Sequence, residues 1–309
     1  MRRVSLHLVF GIVFCLFVAA NASAQVARVF LAGTGDDAGD CTNQSTPCRS
    51  LQGAVTQCPI NGEIIILDNG GYGGATIAKS LTVNASAGIV AFIARTITVN
   101  IASTNKVVLR GLSMNGVVFG DANGIAFTGG GTLVVENSVI AGFGLGGSGA
   151  GIRQLAPGSN LIVNNCELRN NTAGVWNDTG SDTNSDAVVE NSRFESNADG
   201  FDANDGAANV SIRNSVFTNN GNAMDAFSSL QTRLVLIVVD TCTMAHNSTG
   251  TAAGTSGAGS ATIRVTNSTI YHNGTGMFRQ GSGAIESYGN NRVLANSNSS
   301  TFSGTVSLQ

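Results

Sequence analysis

The chain has 309 residues, of which 11% are charged and 6% aromatic, with 40 glycines against 3 prolines and a formal net charge of −3. Nineteen acidic against 16 basic residues argue against a nucleic-acid partner. A hydrophobic fraction of 42%, ordered as set out below, argues against disorder.

Arg2 and Arg3, an apolar run from Leu6 to Ala20, and Ala22-Ser23-Ala24 before Gln25 predict a signal peptide over residues 1–24. The run is short for a transmembrane span, and no second run of about 18 apolar residues follows. The expected mature protein is exported, periplasmic or secreted, with no membrane span. It is more acidic than the whole chain, because two arginines and no acids leave with the signal.

Five cysteines remain: Cys41, Cys48, Cys58, Cys166 and Cys242. The odd count leaves at least one unpaired. The segment CTNQSTPC, in a loop of an exported protein, predicts a disulfide between Cys41 and Cys48, with Cys58 as a competitor.

From Val107 onward one phrase recurs: VVLRGLSM, LVVENSVI, LIVNNCEL, AVVENSRF, VSIRNSVF, IVVDTCTM and IRVTNSTI. The fifth residue of each copy is Gly111, Asn137, Asn165, Asn191, Asn214, Thr241 or Asn267, and the last six average 26 residues apart. Positions four and two before this anchor are always apolar, as in Leu161/Val163 and Ile237/Val239, which is strand alternation. After the anchor the inward positions are one and three on, as in Cys166/Leu168, so the phase slips by one residue and the chain bends there. Asn tolerates the left-handed conformation that such a bend requires, and its stacked amides can bond along the coil axis; Thr241 is the exception.

A second Asn series (Asn171, Asn197, Asn220, Asn247, Asn273) follows, then a small-then-larger pair such as Gly174-Val175 or Gly200-Phe201, giving a third strand per coil. The copies at Gly111 and Asn137 reach their pairs, Gly124-Ile125 and Gly151-Ile152, after extra residues that loop out. One such coil buries too little to offset the entropy of ordering it, so neighbours must cover each other. The pattern predicts an all-β, right-handed parallel β-helix, a three-sided solenoid of about 26 residues per coil. Cys166 and Cys242 share an inward position three coils apart, roughly 14 Å at strand spacing, beyond disulfide reach.

These repeats resemble the pectate lyase-like superfamily of right-handed parallel β-helices, and the opening RVFLAGTGDDAGDC…PCRSLQGAV is similar to the cap of secreted bacterial members. The resemblance implies an N-terminal cap over 25–61, with a strand at Arg28 to Leu31 and a short capping helix from Ser50 to Gln57. The β-helix then occupies 62–309, its tail after Ala284 forming a last, weaker coil and cap. Within that superfamily, pectate lyases use Asp-held Ca²⁺ and polygalacturonases use aspartates with an Arg-Ile-Lys signature. The coils here lack that signature and any NTD or paired-Asp motif, so no catalytic residue carries over.

Outward registers are where a solenoid presents ligands. The register just after the small-then-larger pair reads Ala126, Arg153, Trp176, Asp202, Asp225, Ala252 and Phe278. The single tryptophan, two carboxylates and an arginine suit a sugar polymer, so Arg153, Trp176, Asp202 and Asp225 are the candidate ligand-binding residues. Two carboxylates one coil apart can also share a proton or hold Ca²⁺, which is the enzymatic alternative: a lyase or hydrolase of acidic polysaccharide. In the plainest reading the aspartates form turns and Trp176 covers an apolar spot; a structural or adhesive surface protein is the third functional reading, and a monomer is expected in every case. No cysteine spacing marks a zinc site, and His246 and His272 lack a third ligand, so no metal centre is expected. Glu167 beside Arg193, Arg169 beside Glu195 and Glu190 beside Arg213 read as ion pairs between coils.

Overall fold

A computed structural model of the protein describes residues 27–144, 146–298 and 301–307. The expected signal peptide, residues 1–24, lies outside them. Three parallel sheets wind through the chain, each strand pairing with its equivalents one coil earlier and later. In coil order they are called sheets I, II and III, with 12, 10 and 9 strands. The anchored phrases supply sheet I and sheet II, and the small-then-larger pairs open sheet III, as in Ala173–Asn177.

Alternation buries one side of every strand. Leu161, Val163, Ile237, Val239, Ile263 and Val265 of sheet I all point into a continuous apolar interior. Every anchor adopts a left-handed conformation, with φ between 48° and 75°, and Thr241 does so too, at 53°. The single left-handed residue turns the chain and restores the inward phase, so the next residue (Ser138, Cys166, Ser192, Ser215, Cys242 or Ser268) is buried.

The expected stacking of anchor amides is only partial. Asn165 Nδ2 donates to Asn137 Oδ1 at 2.7 Å, but Asn191 Nδ2 turns to Asn164 instead, because these side chains are exposed and water competes for them. The continuous ladder belongs to the second series, inside the corner between sheets II and III. There each Nδ2 donates to the next Oδ1 at 3.0–3.1 Å from Asn171 through Asn197, Asn220, Asn247 and Asn273 to Asn296. The residue before each of the first five is again left-handed, with φ of 51–58°.

The small residue of the third-strand pair is required by close packing. A Cβ on Gly174 would lie 2.7 Å from the Phe194 ring, and one on Gly200 equally close to Phe217. Those two rings stack in the interior with centroids 4.5 Å apart.

At the N-terminal end a strand spans Arg28–Leu31 and a helix spans Leu51–Gln57, with Ser50 Oγ as its N-cap acceptor for Gly53 N. Asp37 ties this turn by accepting from the Arg49 and Ser50 amides and from Ser50 Oγ. A disulfide joins Cys41 to Cys48, while Cys58, Cys166 and Cys242 are free and buried. Among the described residues no helix is long and apolar enough to cross a membrane.

The charged pairs settle differently from the expectation in one respect. Glu167 and Arg193, and Arg169 and Glu195, are in register, but the short contacts run along each strand, Arg169 to Glu167 at 2.7 Å and Arg193 to Glu195 at 2.8 Å. Residues two apart share a strand face, so a long arginine reaches either neighbour. Arg213 does bridge coils, to Glu190 at 2.6 Å.

Candidate functional site

Sheet III brings all four candidate residues together. Its outward register runs Thr98, Ala126, Arg153, Trp176, Asp202, Asp225, Ala252 and Phe278, each paired with the next. At about 4.8 Å per strand these side chains stand shoulder to shoulder.

The row divides into a filled half and an open half. Arg153 places its guanidinium carbon 4.2 Å above the Trp176 ring and bonds Asp178 Oδ2 at 2.7 Å. One indole face is thus taken by a cation instead of lying bare for a sugar, since stacking and ion pairing hold the guanidinium together. Asp202 follows, 8% exposed, with Oδ1 buried and without a hydrogen-bond partner. Burial, then the nearby carboxylates of Asp225, Asp199 and Asp178, push its pKa well above the ordinary range. Asp225 is pushed up to about 6 by burial and then by Asp199. Neighbouring carboxylates in unequal surroundings hold their protons unequally.

Loops between sheets III and I wall one flank of the row. Arg233 locks them: it donates to the carbonyls of Gly180 and Asp205, each at 2.8 Å, and lies 3.3 Å from Asp182 Oδ1.

Beyond Asp225 the surface opens into a groove of about 280 Å³. Its floor is the short pair Ala252 and Gly254, in register between Asp225 and Phe227 on one side and Phe278 and Gln280 on the other. Asn222 and Thr249 close one end. The walls stand two strand spacings apart, roughly 10 Å. Phe278 is 50% exposed, and a Cβ on Gly254 would meet the Phe227 ring at 3.1 Å. Of the four candidates only Asp225 lines this groove. The sequence signal for the remaining groove residues, Phe227, Phe278 and Gln280, was the drop to Ala252 and Gly254 between two rows of larger side chains.

A Ca²⁺ ion takes six to eight oxygen ligands. Among the described residues no group of three or more His, Cys, Asp or Glu side chains is placed to hold a metal. His246 and His272 stack with centroids 5.5 Å apart and with Tyr271 at their edges.

Residues 63–236, more than half of the chain, match the family described as right handed beta helix region. The protein belongs to that family. No curated protein matches the β-helix in sequence. Among solved structures it is similar to pectate lyase Pel9A, with a TM-score of 0.50 and 15% identity over 90% of this chain and 79% of that one. It is also similar to the mannuronan C-5 epimerase AlgE4 A-module of Azotobacter vinelandii, with a TM-score of 0.43 and 11% identity over 81% of this chain and 91% of that one. Likeness at such identities concerns the fold and carries no residue across.

Proposed function

We propose that this β-helix is an exported protein that binds an extracellular or cell-wall polysaccharide along the outward face of sheet III. The observation that carries the reading is the groove between Asp225 and Phe278, with a small-residue floor, aromatic rings on both walls, and Asn222, Thr249 and Gln280 as hydrogen-bonding groups. Aromatic faces beside hydrogen-bonding side chains suit a sugar, which has apolar ring faces and hydroxylated edges. The stacked Arg153 and Trp176 stand beside it, and Arg233 ties together the loops that follow these strands.

Affinity electrophoresis against a panel of polysaccharides tests this. The wild-type protein is expected to be retarded by at least one polymer, and Phe278→Ala to lose most of that retardation while keeping its circular dichroism. A wild-type chain that no polymer retards would sink the proposal. Export is tested separately, by finding Gln25 at the N-terminus of the protein recovered outside the cytoplasm.

A second reading is favoured by the unequal aspartates. A carboxyl group with a pKa near 6 in a groove, beside a more deeply buried one, is the arrangement from which acid–base cleavage of a polysaccharide is built. Release of new reducing ends or unsaturated products, lost in Asp225→Asn, would favour turnover over binding alone.

A further inference from the structure

We infer that the groove between Asp225 and Phe278 selects a polysaccharide of amino sugars carrying free ammonium groups, in preference to a uronate polymer. This rests on the reading of the groove as a sugar site and specifies its ligand.

The argument is one of charge. The groove lining contains a single ionisable side chain, Asp225, and no base. Behind Asp225, on the preceding coil, stand Asp202 in the adjacent register position and Asp199 on the same strand. The bases of this face are spoken for: Arg153 is bound to Asp178 and stacked on Trp176, and Arg233 is bound to Asp182 and Asp205. Arg279 occupies the Ala253 register, on the opposite side of its strand from Phe278 and Gln280. A uronate entering here would bring a further carboxylate into repulsion with Asp225, with no cation in the lining to receive it. An ammonium group would relieve that repulsion and gain a charge-assisted hydrogen bond from its own N–H to Asp225.

The neighbour of Asp225 along the row adds negative character behind the groove. Asp202 keeps Oδ1 buried with no partner, next to Asp225 along the row. The pyranose faces would meet Phe278 and Phe227, while Asn222, Thr249 and Gln280 reach ring hydroxyls.

Isothermal titration calorimetry with four hexasaccharides at neutral pH tests the inference: glucosamine, N-acetylglucosamine, glucose and galacturonate oligomers. The glucosamine hexamer is expected to bind about tenfold more tightly than its acetylated form, with the galacturonate hexamer weakest. Asp225→Asn should abolish that preference, bringing the glucosamine and N-acetylglucosamine hexamers to equal affinity. Phe278→Ala should weaken all ligands together. Equal or tighter binding of the galacturonate hexamer, or a preference that survives Asp225→Asn, overturns the inference and leaves the sugar site standing. Binding of no hexamer by the wild-type protein removes both.

Discussion

The guanidinium of Arg153 lies 4.2 Å above the ring of Trp176, one coil away, and is fixed there by Asp178. Trp176 is the single tryptophan of the chain, so its emission reports this contact alone. Arg153→Ala uncovers one indole face to water. Its emission maximum should move to longer wavelength and its stability fall by about 1 kcal/mol. An unchanged spectrum would mean that the stack does not form in solution.

The buried asparagine ladder should be worth far more than the exposed anchors. Asn220 accepts from the Asn197 amide and side chain and donates to Asn247 Oδ1 and the Phe194 carbonyl. Asn220→Ala strands several buried groups and is expected to cost about 3 kcal/mol. Asn165→Gly keeps a left-handed bend that glycine adopts freely and should change stability by less than about 1 kcal/mol. Urea denaturation of the two variants distinguishes them, and equal losses would contradict the ladder's role.

Asp225 sets a pH dependence of unusual sign. Its pKa is raised to about 6 from the ordinary 3.8, so between those values the folded state binds more protons than the unfolded state, and stability falls as pH rises through the window. Asp225→Asn removes the penalty. The variant should be more stable than wild type by about 1–2 kcal/mol at neutral pH, allowing for partial exposure, and equal to it near pH 4. Melting temperatures across that range check the prediction, and a stabilisation that grows toward acid would reverse the assignment.

Cys58, Cys166 and Cys242 are buried free thiols, and burial pushes them up to about 11, 12 and 12. Thiolate is the reactive form. The native mature protein should therefore resist a thiol reagent, and all three should react once denaturant is added without reductant. Fast labelling of the native protein would show that the solenoid interior opens.

The repeat was legible because in a solenoid the deciding information is local. Alternation assigns Leu161 and Val163 inward, a left-handed Asn165 turns the chain, and the next inward residue must be Cys166. Each depends on residues within a few positions, so the three strands per coil and the row from Arg153 to Asp225 follow from spacing alone. Thr241 adopting the same bend shows that its neighbours in the stack override its own preference.

What spacing leaves open is where a side chain goes once it points outward. Arg153 had Ala126, Trp176 and Asp178 within reach, and only packing between coils decided that it stacks on the indole and closes that half of the row. Glu167 chose its own strand for the same reason. The groove is likewise a property of three coils together: Ala252 and Gly254 become a floor only because Phe227, Phe278 and Gln280 rise on either side of them. Backbone geometry fixes the direction of a side chain, while its rotamer and its exposure depend on neighbours some 26 residues away, which tertiary structure alone brings into contact.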